Sequence, residues 1–250
     1  MSELYISSPE EAKTLLLPNP SLTSLYLYYD NEQPLESYDT LAAIGKCTNL
    51  TTLGTILASH FFTEHKDPGA LLGMLCFHSL TALRSFNVAH SKAMTSLHLN
   101  EWLPKWPHLE FLGVAHCPID DSTLALLPRY CPRITSLCLS VTKVTHQGLA
   151  ALIPLSLHTL TLAGVESLND DALKPISEMT SLTNLNISDC FNLVGHTLPL
   201  LSKLEKLSTL LLQGSYQISD DEIVKIDSWP CAPQLTLVID EERNLRIKNE

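Results

Sequence analysis

The sequence predicts an α/β solenoid: about eight stacked strand–turn–helix units with a parallel concave sheet and convex helices. Three observations predict it. Leucine fills 49 of 250 positions, while glycine fills only 9. An L-x-x-L-x-L segment recurs at Leu109, Ile134, Leu157, Leu182 and Leu207, at intervals of 25, 23, 25 and 25 residues. A second pattern repeats in phase with it, as in Ile119-Asp-Asp-Ser-Thr-Leu124 and Leu168-Asn-Asp-Asp-Ala-Leu173. No such unit can bury its leucines alone, so each must stack on its neighbours.

The elements follow in order. Residues 1–21 form an N-terminal cap, with Leu4 and Ile6 in a short strand and Pro9 to Leu17 in a helix. The repeats occupy residues 22–239. They begin with a clear motif at Leu22, a degenerate one at Leu50 and another at Leu83, and end in a last strand with Leu237 and Ile239 inward. Between Gly54 and Leu83 the phase is poor, which fits either an irregular repeat or an insertion loop. In each unit a capping or dipole-compatible residue precedes the helical pattern, and the recurring acid pairs Asp120-Asp121, Asp170-Asp171 and Asp220-Asp221 are read as caps. Residues 240–250 form a polar tail.

These residues resemble leucine-rich repeats of the roughly 26-residue cysteine-containing class, familiar from F-box/LRR substrate receptors. The resemblance runs from Leu22 to Ile239 and is best seen from Leu109 to Ile134. Cys117 and Cys190 match the Cys or Asn position after the strand, whereas Thr142 and Ser215 differ from it but can still bond turn backbone. Residues 1–21 are too short for an F-box-like helical segment, so none is expected there. The resemblance implies a horseshoe that binds a protein partner, with a bacterial LRR effector as a related form.

Composition excludes several alternatives. With Lys+Arg 16 against Asp+Glu 27, the net charge of −11 disfavours nucleic acid and membrane surfaces as partners. Neither a secretory signal nor a spanning helix is read in the chain, so the expected location is cytoplasmic, or the host cytosol for an exported effector. Seven cysteines without a C-x-x-C pair argue for free buried thiols. Catalytic motifs such as G-x-S-x-G, a phosphate loop or H-E-x-x-H are absent, and no cofactor is expected. Cys138 faces outward with no Lys or Arg on its column to activate it.

Strand alternation sends the leucines inward and the intervening residues to the concave face. The candidate partner-binding residues there are Tyr26, Tyr28, Asn87, His90, Phe111, His116, Asn184, Asn186 and Gln213, with the aromatics as anchors. Two copies of Val-Ala-His place His90 and His116 on neighbouring strands, about 5 Å apart. Beside Cys117 they are too few for a closed zinc site, so no metal is expected. The expectation is a non-enzymatic, monomeric protein-interaction scaffold. The alternatives are an LRR regulator of an enzyme, of GTPase-activating or inhibitor type, and a ubiquitin-ligase substrate adaptor.

Overall fold

In a computed structural model, the chain forms two compact units, residues 1–134 and 135–250. The structure describes residues 3–8, 11, 14, 19, 21–28, 38–56, 75–91 and 94–240. The Pro9–Leu17 helix, most of the irregular stretch after Gly54 and the tail beyond residue 240 lie wholly or largely outside the described residues.

The first unit contains strands β1 (Glu3–Ile6), β2 (Ser24–Tyr28), β3 (Thr52–Ile56), β4 (Ser85–Asn87) and β5 (Phe111–Gly113), paired in parallel and in chain order. The register sets Leu4, Leu25, Leu53, Phe86 and Leu112 side by side. All five are buried, because every one is the middle apolar residue of its motif. The degenerate unit at Leu50 still makes a strand. Thr51 and Thr52 both donate backbone N–H groups to the Thr23 carbonyl, and the Thr51 hydroxyl bonds there too at 3.0 Å. Helix α1 (Tyr38–Gly45) and a 3₁₀ turn (Leu75–Ser79) lie behind the strands with α2 (Ser96–Trp102), α3 (Asp121–Leu124) and α4 (Leu127–Tyr130). Phe77, Phe86, Trp102 and Trp106 form the aromatic part of this core, with Phe86 and Trp106 centroids 4.9 Å apart.

The second unit repeats the plan with β6 (Ser136–Cys138), β7 (Thr159–Thr161), β8 (Asn184–Asn186), β9 (Thr209–Leu211) and β10 (Thr236–Val238), again parallel and in chain order. Leu137, Leu160, Leu185, Leu210 and Leu237 share a row. Behind them lie α5 (His146–Ala151), α6 (Asp170–Ser177), a 3₁₀ turn (Leu198–Lys203) and α7 (Asp220–Val224).

The acid pairs are not equivalent. Asp120 is an N-cap whose carboxylate accepts from Ser122 N, but the caps of α6 and α7 are Asn169 and Ser219, one residue before the pair. In all three repeats the cap is the residue directly after the buried Ile119, Leu168 or Ile218, and only at Asp120 does the acid pair begin there; the other two begin one residue later. Asp170 instead reaches the next turn, accepting from Val194 N and Gly195 N at 2.9 Å and from Thr197 N at 3.2 Å. With the Thr197 hydroxyl donating to the Asp170 carbonyl, no side-chain cap forms at Leu198, and a 3₁₀ turn carrying Pro199 replaces the α-helix.

Candidate interaction surface

Strands β4 to β9 each end in a turn whose second component is a backbone position in the left-handed region. His90 (φ 59°), His116 (58°), Val141 (53°), Gly164 (67°), Asp189 (56°) and Gly214 (69°) occupy it in six successive repeats. The N–H of this residue closes the ladder, as His90 N to Ala115 O at 2.8 Å and Asp189 N to Gln213 O at 2.7 Å. At Gly214 the Asp240 carboxylate takes that part at 3.1 Å. One residue later, Cys117 and Cys190 donate their Sγ–H groups to the preceding strand's Val88 and Leu162 carbonyls at 3.4 Å, and Ser215 bonds Ile187 O at 3.0 Å. Thr142 bonds Leu139 O of its own repeat at 2.6 Å. Burial pushes the Cys117 and Cys190 thiols up to about 11 and Cys131 to about 12, so these sulfurs are structural.

On the outward face of the first unit, register aligns Tyr5, Tyr26, Gly54, Asn87 and Gly113. The Tyr5 and Tyr26 rings stack at 5.1 Å with an 18° interplanar angle. Tyr26 leans over Gly54, where an added Cβ would meet its Cδ1 at 3.1 Å. Asn87 leans over Gly113 in the same way, with Phe111 Cε1 also 3.1 Å from the position of a Cβ. Of the predicted residues, Tyr26, Asn87 and Phe111 therefore lie in one band. Tyr28 ends β2, and its side chain lies outside the described residues. Tyr5, 56% exposed, belongs to the band although the sequence reading confined its strand to a cap. The signal was the alternation of Leu4, Tyr5 and Ile6, which already placed the tyrosine outward.

His90 and His116 stand beside this band at the strand ends. Their rings stack at 3.9 Å and 16°, because the same left-handed backbone in successive repeats sends both imidazoles in one direction. Burial, and secondarily the neighbouring His90 charge, hold His116 below its ordinary pKa. Among the described residues, no group of three or more His, Cys, Asp or Glu side chains is arranged to hold a metal.

In the second unit, Thr159, Thr161, Asn184, Asn186, Thr209 and Leu211 line a groove of about 210 Å³. Asn184 Oδ1 accepts from the Thr183 hydroxyl at 2.7 Å, and Asn186 Oδ1 accepts from Ser188 N at 3.0 Å. Each amide is thereby oriented with its carbonyl occupied, leaving the NH₂ group to donate. Gln213 is exposed but does not line the groove. The sequence reading missed Leu211 and the threonines as lining residues. All sit on the outward columns, where the threonines are small and Leu211 reads as one more leucine of its motif, so none stood out.

Comparison with known structures decides the architecture. The chain is similar to an internalin, inlF, from Listeria monocytogenes, with TM-score 0.56 and 15% identity over 90% of this chain and 69% of that one. The fold is a leucine-rich-repeat solenoid. Similarity extends to the yeast Rad7–Elc1 complex (TM-score 0.52, 16% identity, 97% and 78% covered). It extends also to TLR13 in complex with ssRNA13 (0.53, 20%), where the match covers 86% of this chain but only 32% of the receptor. At these identities the likeness is one of fold. No protein-family model matches the chain, and no curated protein matches it in sequence. No helix among the described residues is long and apolar enough to cross a membrane.

Proposed function

We propose that this leucine-rich-repeat chain is a non-enzymatic scaffold that binds a protein partner on its concave sheet face. One observation carries the reading. The chain has 43 charged residues (16 basic and 27 acidic), yet the outward positions of β6 to β9 hold only Ser, Cys, Thr, Asn and Leu. A face free of charge has little desolvation cost, which suits the centre of a protein interface. The band of Tyr5, Tyr26, Asn87 and Phe111 adds aromatic anchors of the kind that dominate binding energy. His90 and His116 at the strand ends, and Asn184, Asn186 and Gln213, complete the contact set. Net charge −11 disfavours a nucleic-acid ligand, although one structural neighbour is seen with RNA.

The scaffold acts as a monomer in a cytosolic setting. An exported bacterial effector working on host proteins is one form of the reading and a ligase adaptor is another; both rest on the resemblance of the repeats, since the solved neighbours share the fold alone. The test is capture of partners by the tagged chain from cytosolic extracts, beside a Tyr26→Ala, Tyr28→Ala, Phe111→Ala variant with unchanged circular dichroism. A partner captured by the native chain and lost by the variant supports the reading. Capture that survives the variant removes the aromatic band from it.

A further inference from the structure

Apart from the strand face, the second unit carries a ledge formed by the turns after β8 and β9. Phe191 and Tyr216 hold equivalent places there, 25 residues apart, and are 60% and 68% exposed. Val194, in the same turn as Phe191, is also exposed. Large rings held open to water on adjoining turns mark a contact surface.

Asp189 joins the two turns. Its left-handed backbone directs the carboxylate over Gly214, where an added Cβ would collide with Oδ1. The carboxylate thus belongs to both turns: it is two residues before Phe191 in sequence, and it lies over the residue two before Tyr216. Among the described residues, no Lys or Arg forms an ion pair with Asp189. On the other side of Gly214, the Asp240 carboxylate holds the Gly214 N–H. Asp189 and Asp240 thus flank Gly214, while Lys203 and Lys225, nearby in sequence, are paired with Glu178 and Glu222. The charge at the ledge itself is therefore negative.

We infer that this ledge takes an arginine side chain from a basic segment of a partner protein. The guanidinium pairs with the Asp189 carboxylate and lays its flat face on Phe191 or Tyr216. Exposed rings two residues along the chain from Asp189 and from the Gly214 it covers suit this group, because a guanidinium is planar, weakly hydrated and able to stack while it pairs. An ammonium would use the charge alone. The site lies in different residues from the sheet face and stands or falls separately from that reading.

The test uses the full chain and labelled, end-capped hexa-arginine and hexa-lysine peptides, followed by fluorescence anisotropy in about 150 mM salt, where long-range attraction is screened. Asp189→Asn keeps a residue type that tolerates positive φ, so the turn survives. Phe191→Ser with Tyr216→Ser removes two exposed rings. Glu205→Gln removes an exposed acid away from the ledge and serves as control. The expected result is tighter binding of the arginine peptide, weakened roughly two- to fivefold by Asp189→Asn, with the arginine preference abolished by the double serine variant. Glu205→Gln leaves binding unchanged. Equal binding of the two peptides, equal loss in Asp189→Asn and Glu205→Gln, or no binding of either peptide would overturn the inference.

Discussion

Trp102 and Trp106 offer a matched pair of perturbations in one core. Their ring centroids lie 5.6 Å apart and both are at most 1% exposed. Trp106 Nε1 donates to the Phe77 carbonyl at 3.2 Å, whereas Trp102 Nε1 is buried with no hydrogen-bond partner among the described residues. Replacing either by Phe removes the same atoms, so the lost transfer energy and the cavity are shared, about 2 kcal/mol in each case. The polar contributions have opposite signs. At position 106 the hydrogen bond is lost, costing about 1 kcal/mol. The Phe77 carbonyl is not orphaned, because Leu80 N still donates to it at 3.1 Å. At position 102 the substitution removes a buried, unpaired N–H and returns about 1 to 3 kcal/mol of desolvation. Trp106→Phe is therefore expected to lose about 3 kcal/mol and Trp102→Phe close to none. Urea unfolding followed by far-ultraviolet circular dichroism measures both, and the two midpoints should differ by about 1 M or more. A Trp102→Phe variant destabilised as much as Trp106→Phe would refute the reasoning, since the shared cavity cost would then be all that either position contributes.

Asp170→Ala should cost about 2 to 3 kcal/mol, because three backbone N–H groups of the next turn lose their acceptor, while Asp171→Ala, which breaks only the exposed pair with Lys174, costs under about 1 kcal/mol. Thermal melts of the two variants decide the order. Gly164→Val should destabilise by about 2 to 3 kcal/mol, since the new side chain takes a left-handed backbone and its Cβ meets Val141 Cγ2 at 2.9 Å; a melt unchanged from the native chain would contradict this. Burial lowers the pKa of His98 and His116 below the ordinary 6.5. The unfolded chain therefore takes up these protons first, so stability is full above 6.5 and declines as pH falls toward the folded values. His98→Gln should flatten that decline in melts between about pH 7 and pH 5. Finally, Cys117, Cys131 and Cys190 should resist iodoacetamide at about pH 8 in the native chain and react once it is unfolded, as peptide mass spectrometry would show.

The architecture was legible because one signal is repeated through the chain. Leu22, Leu25 and Leu27 are buried, and so are Leu182, Leu185 and Ile187 six motifs later, because the same alternation is imposed each time. Even the degenerate unit at Leu50 obeys it, since two buried leucines and the pairing of β3 with its neighbours suffice. Phase was legible only to within a residue. Asp120 reads like Asp170, yet one caps a helix and the other laces a neighbouring turn, because Asp120 directly follows buried Ile119 while Asn169 stands between buried Leu168 and Asp170. The surface was legible as columns, which placed Tyr26, Asn87 and Phe111 outward. It was not legible as contacts. Whether Asn87 leans over Gly113, or Tyr26 over Gly54 with Tyr5 stacked behind, depends on how much room the adjoining strand leaves.

The left-handed position after each strand shows where side-chain choice is free of the fold. At Gly164 and Gly214 the turn is made without a side chain, so the backbone does not need one. His90, His116, Val141 and Asp189 adopt the same conformation at a steric cost of about 1 kcal/mol or more each. At His90, Val141 and Asp189 the N–H bonds to the next strand's carbonyl, which holds the strained geometry in place. Local preference alone would favour glycine at every one of the six. Residues kept against that preference are where a property other than folding is expected. Two of the four make a stacked imidazole pair at the edge of the aromatic band, and a third sets a carboxylate over the glycine of the next turn. The strain thus falls at the strand ends, and the buried leucines of each motif are left to hold the sheet.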